Sequence, residues 1–176
     1  MKRVAIVGTP GAGKSTLARK LGARAGLPVI HLDQHGFLPG WKWKSDEQWD
    51  AITEELLAGE SWVMDGAFAM EKAVARADTI VFLDFSRARG YLGSVKRLAL
   101  AYLGRPAPDF APGCVDRLDR DFWRLLKTIH RYPSVQRPEI VADLERRRGE
   151  GRRVIVARNR RDVRALLDWE GLAKWI

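Results

Sequence analysis

Gly8-Thr9-Pro10-Gly11-Ala12-Gly13-Lys14-Ser15 decides how the rest of this 176-residue chain is read. It meets the phosphate-binding pattern G-x-x-x-x-G-K-[ST] at every required position. The flanks agree with it. Val4-Ala5-Ile6-Val7 is a continuously apolar run that stops at Gly8, as a strand buried on both faces of a parallel sheet does. Leu17, Ala18, Leu21 and Ala25 recur at helical spacing over residues 14–25. Each residue type has a physical reason. Glycines let the backbone curl until successive N–H groups face inward as an anion nest. The helix start adds free amides and partial positive charge. The Lys14 ammonium can bridge β- and γ-phosphate oxygens, and the Ser15 hydroxyl can ligate Mg²⁺. Nucleotide contacts are therefore expected at Gly8, Gly11, Ala12, Gly13, Lys14, Ser15 and Thr16. No guanine-recognition signature stands out, so ATP with Mg²⁺ is the expected cofactor pair.

Further out, short apolar runs alternate with helical stretches. Residues 28–32, 61–64, 79–83 and 153–157 read as strands. Ser45 is a candidate N-cap for a helix reaching about Ala58, with Asp46, Glu47 and Gln48 in its first turn. A long helix is expected over 86–103 and a closing one from Asp162 to Trp169. This alternation predicts an α/β, three-layer fold around a mainly parallel five-stranded sheet, in one domain over 1–176. Residues 104–114 hold three prolines and two glycines, which predicts a long irregular loop of the kind that serves as a lid.

Three aspartates end expected strands, and open parallel sheets bind ligands beyond the carboxyl ends of their strands. Asp65 is the expected Mg²⁺ partner of Ser15. Asp33 is expected to orient the acceptor or take its hydroxyl proton. Asp84 reads equally well as a cap for the helix that starts near Ser86. His31, Asp33 and His35 spell H-x-D-x-H, but a packed or acceptor-contacting His31 fits better than a metal cage. Trp41, Trp43 and Trp49 read as packing residues with partial contact to an acceptor. Lys96, Arg97 and Arg105 precede or open the proline-rich loop, and Arg117, Arg120 and Arg124 follow it. Arginines on a closing element can neutralise a transferring phosphoryl group, and Arg97 is the one expected at the phosphates. Arg158 is expected to border the nucleotide base. Cys114 reads as a small packing residue.

Composition narrows the class. Hydrophobic residues make up 46% and charged residues 30%, which fits neither a disordered nor a membrane chain. One cysteine cannot form an internal disulfide or a zinc site of its own. The opening apolar run is too short for a signal peptide, so the cytosol is the expected compartment. Residues 1–85 hold 10 basic and 11 acidic side chains; residues 86–176 hold 21 and 11, so the net charge of +9 sits in the second half. A triphosphate, a nucleic acid or an anionic membrane would each suit that excess, and composition does not choose.

The loop together with Pro28-Val29-Ile30-His31-Leu32-Asp33, Pro39-Gly40-Trp41, Ser61-Trp62-Val63-Met64-Asp65-Gly66, residues 76–84, residues 108–114, Tyr132-Pro133 and Arg137-Pro138 resembles a known group. These are the adenylate kinase-related P-loop proteins of the DNA topology modulation (FlaR) type. The resemblance implies a nucleoside monophosphate kinase-like fold, an acceptor-binding segment near 34–60 and a lid near 100–130. The chain departs from the group's pattern at Ala67-Phe68, where Asn-Tyr is usual, and in lacking an arginine before Arg76, Lys72 being the nearest cation. The expected activity is Mg-dependent phosphoryl transfer from ATP to a nucleotide or other small acceptor, without a membrane partner. The alternative is a nucleotide-gated nucleic-acid-binding regulator.

Overall fold

The computed structural model describes residues 1–66 and 70–168. Ala67-Phe68 and Trp169 lie outside the described residues. Five strands form one wholly parallel sheet: β1 (Arg3–Gly8), β2 (Val29–His31), β5 (Trp62–Asp65), β6 (Thr79–Leu83) and β7 (Arg153–Ala157), in the order β2-β5-β1-β6-β7. The register pairs Ile6 with Asp65 on one side of β1 and Gly8 with Leu83 on the other. Connections leave β1 and β6 in opposite directions, so the crevice between them is the switch point at which such sheets bind ligands.

The continuous apolar runs are explained by burial on both faces. Val4, Ile6, Val63, Val81 and Leu83 pack with Leu17 and Leu21 of α1 (Lys14–Ala25) and with Leu166 and Leu167 of α8 (Arg160–Asp168). Ala5, Val7, Trp62, Met64, Ile80 and Phe82 face the opposite way. They meet Leu57 of α3 (Asp46–Leu57), Val74 of α4 (Met70–Arg76), Leu144 of α7 (Gln136–Gly149), and Tyr132. Alternate residues of one strand thus feed two cores, giving three layers.

Ser45 caps α3 as expected, its hydroxyl accepting from the Gln48 amide while the Gln48 side chain accepts from the Ser45 amide. The expected second strand is shorter than its apolar run. It stops at His31, its last partner on β5 being Asp65, and Leu32–Gly36 turns into the short helix α2. Asp33 therefore stands in the first turn of α2 and not at a strand end. A hairpin that the sequence reading omits follows, β3 (Phe37–Leu38) with β4 (Lys42–Trp43). Its turn holds Gly40 at φ 77° and Trp41 at φ 61°. The long helix appears as α5 (Arg87–Tyr102), followed by irregular chain over 104–118 and then α6 (Arg120–Arg131). Besides α2, the described helices α4, α6 and α7 are not among the expected elements. The closing helix α8 starts two residues earlier than expected, where Asn159 accepts from the amides of Arg161 and Asp162. No helix among the described residues is long and apolar enough to cross a membrane.

Asp78 ties the bottom of the sheet together. Its carboxylate accepts from the Lys2 and Arg3 amides at 2.7 and 2.8 Å and from the Thr79 hydroxyl at 2.7 Å. Burial favours its neutral form, but these bonds outweigh burial and hold its pKa below the ordinary carboxylate value. A folded pKa depressed in this way contributes stability above the unfolded value of about 3.9, and that stability is lost as pH falls through the folded value. Asp78→Ala is accordingly expected to cost about 1–2 kcal/mol in urea melts near neutral pH. The gap between variant and wild type should narrow near pH 3; a gap independent of pH would contradict this origin.

Candidate functional site

The loop between β1 and α1 is built by glycine geometry. Gly11 has φ 74° and Gly13, the N-cap of α1, has φ 97°, a region that residues with a Cβ rarely enter. Helix α1 has no capping side chain and no acidic residue in its first turn. Its start is thus left to an anion from outside. The outer side of the loop is packed. A Cβ on Gly11 would lie 2.2 Å from the Gly90 carbonyl oxygen and 2.9 Å from Ser94 Oγ, and a Cβ on Gly93 would lie 2.0 Å from the Gly11 carbonyl oxygen. Gly90, Gly93 and Ser94 of α5 form the floor on which the loop rests. Small residues at i, i+3 and i+4 of α5 are the sequence signal for this floor.

Lys14 is half-buried, and its ammonium donates to the carbonyls of Gly8 and Thr9 at 3.1 and 3.4 Å. Burial lowers its pKa below the usual lysine value; Asp33, Asp65 and Asp109 oppose that shift, and Arg97 adds to it. The ammonium thus lies where three carboxylates and the loop converge.

Asp65 is 2% exposed at the end of β5, and its Oδ1 lies 2.5 Å from Nδ1 of the buried His31. His31 is therefore a packed partner of Asp65. His35 lies at the other end of α2, with its pKa lowered by burial, by Lys44 and by His31. Among the described residues no three His, Cys, Asp or Glu side chains gather as a metal cage. Asp84 does not cap α5. Its carboxylate takes a bidentate bond from Arg137 of α7 at 2.7 and 2.8 Å.

The irregular chain over 104–118 folds back across the loop. Asp109 accepts from Arg19 at 3.0 Å. Burial would raise its pKa, but the nearby Ser15 hydroxyl, Arg19 and His31 hold it below the ordinary carboxylate value. Gln34 donates to the Pro108 carbonyl at 2.7 Å, the Gly40 amide to Gly113 at 3.2 Å and the Trp41 indole to Val115 at 3.1 Å. Phe110 packs edge-on against Trp41 at 4.8 Å and lies 4.7 Å below the Arg97 guanidinium. Arg97 itself is bidentate on Asp116 at 2.5 and 3.1 Å, so in this state it anchors the loop. Trp41, Phe37, Trp43 and Trp49 form one chain of edge-on and tilted aromatic contacts at the hairpin. Cys114 is buried, its thiol donating to Leu38 at 3.3 Å, in keeping with a packing role. Lys72, the cation nearest the missing arginine, is taken up by Asp50 at 2.7 Å.

One open cleft of about 1530 Å³ runs over all of this. Every residue singled out for a site from the sequence lines it except Arg158, namely Gly8 and Gly11 through Thr16, Asp33, Asp65 and Arg97. Arg158 is exposed and gives only its amide to Asp162; Arg160 and Arg164 of α8 line the cleft instead. Asp109, Gly93 and Arg19 also line it, and the sequence reading had missed all three.

No family model and no curated protein matches the chain. Solved structures similar to it include a shikimate kinase from Aquifex aeolicus (16% identity, 94% of this chain and 93% of that one, TM-score 0.45). A gluconokinase from Sinorhizobium meliloti 1021 aligns at 19% identity over 99% and 93%, with a TM-score of 0.48. A shikimate kinase from Bacteroides thetaiotaomicron aligns at 15% identity over 99% of both chains, with a TM-score of 0.49. Likeness at this identity does not carry a substrate across. The chain itself has an α/β architecture, a parallel five-stranded sheet flanked by helices.

Proposed function

We propose that this protein is an ATP- and Mg²⁺-dependent kinase of a small molecule. One observation carries the reading: the anion-binding loop, with Lys14 and Ser15, shares one cleft with the carboxylates Asp33 and Asp65. A pocket for a single small ligand takes roughly 300–1,000 Å³, so this cleft has room for a nucleotide and an acceptor together. Phosphoryl transfer needs positioning and charge neutralisation more than covalent chemistry from the protein. The amides of Gly11 to Thr16 receive the phosphate oxygens, and Lys14 turns from the loop carbonyls to the β- and γ-phosphates. Asp33 orients the acceptor hydroxyl and takes its proton. Ser15 and Asp65 offer the hard oxygen ligands that Mg²⁺ prefers, few enough that phosphate oxygens and water complete the shell. When bound, the ion would neutralise charge on the β- and γ-oxygens. Arg160 and Arg164, which line the cleft where Arg158 does not, border the nucleotide base in its place. Segment 34–60 serves as the acceptor side and 100–130 as the lid, and the two meet through the hairpin and residues 108–115. The finer kinship to the FlaR type is supported by the quoted sequence segments.

A second reading, nucleic-acid binding, keeps one feature: Trp123 of α6 is 58% exposed among Arg120, Arg124 and Lys127. The tryptophans of the hairpin do not join it: Trp41 meets Phe37 and Phe110 edge-on, and Trp43 meets Phe37 and Trp49. An acceptor panel of nucleoside monophosphates, nucleosides and sugar acids, read as ADP formed, separates the two. At least one acceptor is expected to stimulate ADP release. Unstimulated release, with nucleic-acid affinity falling steeply as salt rises, would favour the second reading instead.

A further inference from the structure

We propose that the acceptor is a ring-bearing alcohol without negative charge, a nucleoside or an amino sugar, and not a phosphate ester or a sugar acid. This deepens the kinase reading of the cleft and rests on it.

Charge is segregated along the cleft. Its lining cations stand on α1, α5, the irregular chain over 104–118, α6 and α8. There Asp109, Asp116 and Asp121 are paired with Arg19, Arg97 and Arg124 in turn. A triphosphate belongs against that side. The other wall comes from α2, the hairpin, the end of β5, α4 and α7, where Leu32, Val74 and Ile140 pack on the sheet face away from α1. Its lining charges are Asp33, Asp65, Glu71 and Glu139, and among the described residues these elements bring no lysine or arginine into the cleft. Lys72 and Arg76 of α4 pair with Asp50 and Glu54 of α3 instead, and Arg137 of α7 pairs with Asp84. Ala67-Phe68-Ala69 carries no charge.

An ionised carboxylate accepts hydrogen bonds and cannot donate one. A phosphate or carboxylate on the acceptor would meet groups of its own sign and kind, with no cation to offset its desolvation. Hydroxyl and amino groups are donors and suit the same wall. The half-buried rings of Phe37, Trp41 and Phe110 also line the cleft. Such rings take the apolar face of a sugar or a base, and an ammonium by cation–π attraction. In the transfer the acceptor oxygen bonds to the γ-phosphorus, the bond from that phosphorus to the bridging oxygen breaks, and ADP leaves. The hydroxyl proton passes to Asp33.

The test measures ADP formed from ATP and Mg²⁺ with paired acceptors: adenosine against AMP, cytidine against CMP, and glucosamine against gluconate. In at least one pair the member without negative charge is expected to be used at least about tenfold better in kcat/KM. The nucleoside and amino-sugar arms show which ring the wall takes. Glu71 and Glu139 are exposed and therefore screened, so Glu71→Gln with Glu139→Gln should narrow the ratio only several-fold, as should about 1 M salt. An anionic member used as well as its partner, or better, overturns the proposal, while its ADP upholds the kinase reading. A preference that neither the double variant nor salt narrows overturns it as well. If no member of any pair raises ADP release, the kinase reading falls and takes the proposal with it.

Discussion

Gly93→Ala is expected to damage both stability and nucleotide binding, although Gly93 lies in a helix far along the chain from the phosphate loop. Its new Cβ would lie 2.0 Å from the Gly11 carbonyl oxygen and 2.8 Å from the carbonyl carbon. Both are backbone atoms of the most constrained turn in the protein, so no side-chain rotation can relieve the overlap. Either α5 moves outward or the loop flattens. Overpacking typically costs about 1–3 kcal/mol, and a clash with backbone belongs at the upper end. For a chain of this size that is roughly a 6–12 °C fall in Tm. The loop amides would also leave the positions that phosphate requires, so calorimetry should show ADP binding lost at temperatures where the variant is still folded. Gly149→Ala is the control. Nothing lies within 4 Å of a Cβ there, and it closes α7, where alanine is the better helix former. Equal melting temperatures for Gly93→Ala and wild type would show that α5 does not support the loop.

The second large effect falls on chemistry with little change in stability. Lys14→Ala removes an ammonium whose present bonds go to the Gly8 and Thr9 carbonyls at the edge of a solvent-filled cleft. Water can replace those bonds, so the melting temperature should hardly move. The transferring phosphoryl group, however, loses a preorganised positive charge. Removal of one such donor costs about 10²–10³ in turnover, and ATP turnover by Lys14→Ala is expected to fall by that much. Calorimetry should show weaker magnesium-nucleotide binding in parallel. Unchanged binding and turnover in this variant would remove the basis of the functional reading. Between them, the two variants separate the floor of the loop from the charge within it.

The parts legible in the sequence obey local rules. Val4 to Val7 had to be apolar throughout because both faces of β1 are covered, and the pattern shows it. Ser45 and Gln48 sit three residues apart because a capping box closes over one turn. Asp33 stands in the first turn of α2 and not at a strand end, since a strand and the short helix after it share one apolar run. Helices α6 and α7 escaped because they bury little. Only Phe122 and Ile129 of α6, and Leu144 of α7, are fully buried, and charged residues fill much of the remainder. Arg97, expected at the phosphates, lines the cleft with its guanidinium committed to Asp116.

The chemistry of the phosphate turn, the alternation of strands and helices, and the charge imbalance between the halves were all set by short-range covalent and steric requirements, which leave a fixed spacing in the chain. Which carboxylate meets which partner was settled only by folding. Asp65 went to His31, Asp84 to Arg137, and Asp109 to Arg19, 90 positions away. Contacts of that separation have no spacing rule, because the sheet order and the path of one loop decide who arrives where.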